Sequence, residues 1–403
     1  MKNTGGNAMF ISTKAKAVHP SSTLAIDAKF KAMKAEGLDV VGFGTGEPDF
    51  DTPEHIKFAA TRAIQEGVTK YTPASGTPAL KQAVCFKFKR DNELDYSPDQ
   101  IVISNGAKHS LMNIFTAICN PGDEVIIPAP YWVSYPEMVA LADGKSVFVT
   151  TDEETGFKMT PEALEAAITS RTRAVVLNSP SNPTGMVYTR DELRALAEIA
   201  VAHDMYIISD EVYEHLVYDG NEHVSVASFG GAIKEHTIVV NAVSKTYAMT
   251  GWRIGFTACG SELAKAMSNI QSHATSNPNS VAQAAAVAAL EGPLDTVFAM
   301  RDAFKQRRDY MVQRINSLPL VSCKKPGGAF YVMMNIQQLI GQRFYGHTIS
   351  GSDDFAQLFL EQNKVAVVPG SGFGAESYVR WSYATSMDSI QKGLDRLEQF
   401  LNA

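Results

Sequence analysis

The sequence predicts an α/β protein, with a large domain on a mostly parallel sheet and a smaller α+β domain beside it. Three observations carry this expectation. Between about residues 100 and 260, six short β-branched runs (101–103, 124–127, 174–177, 206–208, 238–240 and 254–256) alternate with helical stretches, the pattern of a sheet whose crossovers are helices. Helix-start signals fall between the runs. After about residue 290 a long charged stretch, 298–317, gives way to short strand-like segments near 328–332, 365–368 and 378–381. The expected division is 48–297 for the large domain, with 1–47 and 298–403 forming a discontinuous small domain. At 403 residues, 45% hydrophobic and 20% charged, the chain has enough length and apolar content for both.

In chain order, Met1 to Met9 is rich in Gly and Asn and lacks an apolar core, which reads as a frayed tail and not a signal peptide. Thr52-Pro53-Glu54 and Thr160-Pro161-Glu162 each offer an N-cap threonine followed by proline at the first helical position. Thr189-Arg190-Asp191-Glu192 is a capping box. Capping is sufficient to account for these threonines. Gly327-Gly328-Ala329-Phe330-Tyr331-Val332 reads as a turn into a strand, and 355–362 as an amphipathic helix. The net charge of −7 excludes a basic nucleic-acid face, and no apolar run is long enough to cross a bilayer. Cys85, Cys119, Cys259 and Cys323 form no C-x-x-C pair and sit among apolar neighbours, as buried free thiols do. No metal is called for, and a reducing cytoplasm is the expected compartment.

The chemistry gathers where predicted strands end. The segment 237–243 delivers Lys245, and Arg253 stands eight positions on. A lysine held beside a fixed cation has its ammonium pKa pushed down, and only the neutral amine forms a Schiff base. Ser104-Asn105-Gly106-Ala107-Lys108 is a small-residue turn into a helix, whose first N–H groups at Ala107 and Lys108 suit an anion, with Ser244 and Arg253 as further donors. Asp210 ends another strand, and Tyr213 is expected to share a face with it. Asn182 is preset between Pro180 and Pro183, Trp132 offers a flat face, and the planar fork of Arg380 suits a carboxylate. Singly, each has a plainer reading: a surface lysine, an N-cap aspartate, an Asn-Pro turn, a core tryptophan, an edge-strand arginine.

Together, in this order and spacing, the motifs resemble the fold-type I pyridoxal-phosphate aminotransferases, from about residue 18 to the end. The run Ser244-Lys245-Thr246-Tyr247-Ala248-Met249-Thr250-Gly251-Trp252-Arg253-Ile254-Gly255 is similar to their lysine segment. The likeness is greatest to bacterial-type aspartate aminotransferases, through Pro20-Ser21-Ser22-Thr23, Gly46-Glu47-Pro48-Asp49-Phe50, Lys70-Tyr71-Thr72-Pro73 and Pro130-Tyr131-Trp132-Val133-Ser134-Tyr135. The resemblance implies pyridoxal 5'-phosphate as cofactor, with Lys245 bonded to it and shuttling the proton. It implies Asp210 on the pyridine nitrogen, Asn182 and Tyr213 on the ring oxygen, and Trp132 over the ring. Ala107, Lys108, Ser244 and Arg253 take the phosphate, joined by Tyr71 from the partner subunit of a homodimer. Arg380, Asn182 and the Gly46 backbone grip the α-carboxylate.

Amino acids and 2-oxoacids are the implied substrates. Lys108 and Thr23 are the implied contacts to a second carboxylate. The expected reaction is amino transfer from L-aspartate to 2-oxoglutarate by a ping-pong route. Prephenate, aromatic or broad-specificity transamination is the nearest alternative, although relatives active on prephenate carry lysine where His19 stands. A pyridoxal-phosphate C–S lyase is more distant, and a ligand-sensing regulator is expected to append a helix-turn-helix segment, for which these residues show no extra or basic block.

Overall fold

The computed structural model describes residues 10–18 and 22–403, leaving aside the side chains of residues 22–25 and 27. Its centre is a seven-stranded sheet in the order Ile101–Ser104, Gly255–Ala258, Thr237–Ala242, Tyr206–Asp210, Thr172–Asn178, Glu124–Ala129, Lys145–Thr150. All strands run parallel except Gly255–Ala258, which is antiparallel to both neighbours. Every residue of Ile101–Ser104, Thr237–Ala242 and Gly255–Ala258 is buried, as strands covered on both faces must be. Lys145–Thr150 is the strand that the sequence reading missed. It lies at the sheet edge with only Val149 buried, and its apolar run, Val147-Phe148-Val149, is flanked by polar residues.

Helix starts match the capping signals with one exception. Thr160 and Thr189 accept hydrogen bonds from the N–H of Ala163 and Glu192, and Glu192 closes the capping box. Thr52 does not cap. The helix Glu54–Gln65 begins after Pro53, and the Thr52 hydroxyl instead donates to the Ala248 carbonyl (2.7 Å) and accepts from Trp252 Nε1 (3.0 Å). Two thiols, Cys259 and Cys323, are buried as expected, whereas Cys85 and Cys119 are half-buried.

The C-terminal part builds an antiparallel sheet, Val368–Pro369, Tyr378–Ser382, Tyr331–Asn335, Ser322–Cys323, under the helices Asp295–Ser317, Ser352–Asn363 and Met387–Leu401. The run 365–368 serves two sheets, because Val365–Ala366 pairs with Val41–Gly42 while Val368–Pro369 joins the larger one. Val41 and Phe43 share a core with Phe304, Phe355, Trp381 and Phe400. Three other cores lie within 56–297. We propose on this basis that 48–297 and 1–47 with 298–403 are the two folding units. Among the described residues, no helix is long and apolar enough to cross a membrane.

Candidate active site

Parallel strands present their C-terminal ends at one edge of the sheet, where such folds leave a crevice. Here the register sets Asn178 beside Asp210 and Asp210 beside Val240. The reversed strand brings its first residue, Gly255, level with Ala242 and Ser104. Lys245, on the short helix Val243–Thr246, and Arg253, just before Gly255, therefore arrive at the same edge. A cavity of about 490 Å³ opens there between the two sheets. Its walls include Gly46, Ala107, Lys108, Trp132, Asn182, Asp210, Tyr213, Ser244, Lys245, Arg253 and Arg380. Of the residues singled out in the sequence, only Tyr71 and Thr23 are not among these. Tyr71 is 90% exposed and does not line the cavity of its own chain. The side chain of Thr23, and His19 with the tail Met1 to Met9, lie outside the described residues.

Lys245 is half-buried and donates to the Gly46 carbonyl, with its Nζ about 6 Å from the Tyr213 and Phe330 ring centres. Burial pushes its ammonium pKa down to about 8; Glu47 opposes this, while Arg380 and Arg253 assist. Asp210 is 4% exposed, and burial pushes its carboxyl up to about 6 against a 2.5 Å hydrogen bond from the Tyr135 hydroxyl. Tyr213, expected to share a face with Asp210, lies in a run of turns at residues 212–215. It reaches the cavity nonetheless, its hydroxyl 2.9 Å from that of Tyr331.

Arg380 is no edge residue. Tyr378–Ser382 has partners on both sides, and Arg380 is 3% exposed. Its guanidinium donates to Asn182 Oδ1 (3.0 Å) and the Gly44 carbonyl (2.9 Å) and lies 4.4 Å from the Tyr331 ring centre. Its Nε is buried with no hydrogen-bond partner. An orphaned guanidinium N–H is costly to bury, so the fork retains capacity for an anion.

The anion end is built by close backbone approach. Arg253 adopts a left-handed backbone (φ 58°) and donates to the carbonyls of Thr250 (2.9 Å) and Asn105 (3.3 Å). Gly106 has φ 85°, and a Cβ there would lie 2.3 Å from Arg253 Nη2; a Cβ at Gly255 would lie 2.3 Å from the Ala107 nitrogen. Both glycines are thus required to seat the guanidinium against the start of the helix Ala107–Ile118, whose first N–H groups have no carbonyl within the helix to bond. Lys108 is an exposed residue whose Nζ lies 5.1 Å from the Trp132 ring centre; partial desolvation at the cavity mouth, aided by Arg253, lowers its pKa.

Sequence reasoning missed Tyr135 and Tyr331, although each left a signal. Tyr135 lies one helical turn beyond Trp132, and Tyr331 ends the Gly-Gly-Ala-Phe turn. It also missed Glu47, which accepts from Thr250 Oγ1 (2.6 Å) and ties the Gly46 loop to the Arg253 loop.

This assembly of a depressed lysine, a buried carboxyl and a desolvated arginine around one cavity defines a class of site for lysine-based chemistry on an anionic substrate. The chain belongs to the aminotransferase class I and II family, matched over residues 38–397. It is 49% identical over 393 residues to an aspartate aminotransferase of Bacillus subtilis, covering 98% of this chain and 99% of that one. It is 47% identical to an aspartate/prephenate aminotransferase of Nitrosomonas europaea, covering 98% and 100%. Among solved structures, the aspartate aminotransferase from Rhizobium meliloti superposes with a TM-score of 0.95 at 45% identity, covering 98% and 99%.

Proposed function

We propose that this chain is a pyridoxal-phosphate aspartate aminotransferase. It exchanges the amino group between L-aspartate and 2-oxoglutarate by a ping-pong route. The single observation that carries the reading is the meeting of Lys245, Asp210 and the partly unpartnered Arg380 in one cavity. The residues fit the cofactor. Arg253, Ser244 and the N–H groups of Ala107 and Lys108 form a cradle for a phosphate. Asp210 would hold the pyridine nitrogen, Tyr213 and Asn182 the ring oxygen, and Trp132 would cover the ring face. When bound, pyridoxal phosphate supplies an electron sink for the pair released at the substrate α-carbon.

The protein's part is acid–base work and placement. Lys245, with an amine pKa near 8, takes a proton from the α-carbon and returns it on the other side of the transfer. Asp210 holds a proton at the pyridine nitrogen, and the Tyr135 hydroxyl keeps its carboxylate oriented. Arg380 binds the α-carboxylate bidentately, with Asn182 bracing the fork. Lys108 is the candidate for the second carboxylate, together with Thr23. Tyr71, exposed on its own chain, reaches the phosphate of a partner subunit in a homodimer.

Mixing the holoprotein with aspartate in a stopped-flow instrument should shift the cofactor absorbance to the pyridoxamine form. No change at high aspartate would overturn the substrate. Prephenate as acceptor is the second reading, suggested by the Nitrosomonas relative's name. Comparing kcat/KM for oxaloacetate, 2-oxoglutarate and prephenate decides between them.

A further inference from the structure

Behind the cavity, on the far side of residues 210–216, lies a second set of buried charges that none of these steps uses. Lys87 is 2% exposed, and its Nζ lies 2.5 Å from Glu214 Oε1. Lys87 also donates to Asn92 Oδ1 (2.7 Å), and Asn92 Nδ2 donates to Glu214 Oε2 (3.0 Å). Asn241 Nδ2 donates to Glu214 Oε1 (2.8 Å), while Asn241 Oδ1 accepts from the N–H of Ala242 (2.7 Å). Every bond in the set is made to or from a buried or half-buried group.

Such a cluster needs a reason. A buried ion pair is often no more stabilising than apolar side chains of the same volume, and its attested use is to fix one arrangement over others. Its geometry indicates which arrangement. Asp210 and Tyr213 line the cavity, whereas Glu211 and Glu214 do not and are each held by several partners. Glu214 alone joins three elements: the last turn of the helix Pro78–Asn92, the turn carrying Tyr213, and the strand Thr237–Ala242 that runs into Lys245. The distance between Tyr213 and Lys245 is therefore set from behind.

We infer that Glu214 is a positioning residue. Through Lys87, Asn92 and Asn241 it holds the Asp210–Tyr213 turn in register with the strand that presents Lys245. This rests on the reading that those three residues hold the cofactor.

The test uses holoenzyme with Glu214→Leu, Lys87→Met, the double variant Lys87→Met/Glu214→Leu, and Asn241→Ala. Each single charge removal leaves a buried charge without its nearest partner, Glu214 with His215 at 3.7 Å and Lys87 with Asp91 at 3.9 Å, and lowers the thermal midpoint; removing both restores most of it. The inference expects kcat with aspartate to stay about tenfold low in the double variant, because misplacing reacting groups by a fraction of an ångström costs rate and not binding. KM for aspartate should hold, since Arg380 is untouched. The pH midpoint of the bound cofactor's absorbance should move by about half a unit or more as the groups around Lys245 shift. Asn241→Ala leaves the ion pair intact and should show the same kcat loss with little change in midpoint, which covers a double variant that fails to fold. Recovery of kcat together with thermal midpoint in the double variant, or full activity in Asn241→Ala, would overturn the inference. Failure of the functional reading would look different, because the unsubstituted protein would then show no cofactor absorbance change with aspartate.

Discussion

Residues 210–216 separate two groups of buried charge that the protein handles in opposite ways. On the cavity side, burial dominates and partners are few. Lys245 is pushed down to about 8, Asp210 up to about 6, and Arg380 is lowered as well. On the rear side burial is as deep, but it is outweighed. It pushes Glu214 upward, yet Lys87, His215 and His223 hold that carboxyl at about 2, and Asp91 is likewise kept low by His215, Arg90 and Lys87. The two rear carboxylates therefore stay ionised near neutral pH. Of those facing the cavity, Lys245 and Asp210 sit near neutrality, where a proton moves at little cost. Saturating hydrogen bonds makes a strut; withholding them makes a reagent.

The largest expected effect breaks the cavity side. Lys245→Ala should lower kcat by about 10⁴-fold or more in steady-state assays, the scale seen when a central catalytic group is removed. Next comes the rear side. Lys87→Met leaves buried Glu214 without its nearest cation and should cost about 3–5 kcal/mol in denaturant unfolding of the holoprotein. Arg380→Lys should follow, lowering kcat/KM for aspartate by about 10²–10³-fold, because a point charge cannot replace two parallel hydrogen bonds to a carboxylate.

The smallest effect is the most discriminating. Asp210 binds a proton more tightly in the fold than its usual value of 3.8 allows when unfolded. Between about pH 4 and pH 6 the native state thus holds the extra proton, and stability contributed by this group falls as pH rises through that window. Above it the ionised, buried carboxylate is a standing cost. Asp210→Asn should therefore stabilise the cofactor-free protein at pH 7 by about 1–3 kcal/mol while slowing turnover. The rear carboxylate should behave in the reverse sense, since neutralising Glu214 destabilises. A pH series of thermal midpoints on both variants checks the contrast. Lys245 adds a kinetic counterpart: the rate at which the cofactor-free protein captures pyridoxal phosphate should rise with pH up to about 8, where the amine becomes neutral.

The cavity side was largely legible in the sequence, because its members lie at strand ends and their motifs have fixed spacing. Lys245, Asp210, Asn182 and Arg253 each follow or precede an apolar run that is buried as read. What sequence misjudged depended on tertiary packing. For Arg380 an edge position stayed open as the plainer reading, because a five-residue strand does not declare its neighbours. Thr52 looked like a cap, but its hydroxyl was claimed by a loop about 200 positions away. The rear cluster gave no sign at all. Lys87, Glu214 and Asn241 are three polar residues more than a hundred positions apart at the extremes, and only the fold brings them together.

One strand of the central sheet runs backwards, and that places the amine and the guanidinium on a single hairpin. Their separation is then a chain length and not the sum of several distant packings. Substitutions between residues 246 and 252 change side chains and leave this distance alone. A one-residue insertion would slip the register, turn alternate side chains to the wrong face, and put a Cβ where Gly255 now lets the chain touch Ala107. Natural variation in this stretch should accordingly be found in composition and almost never in length.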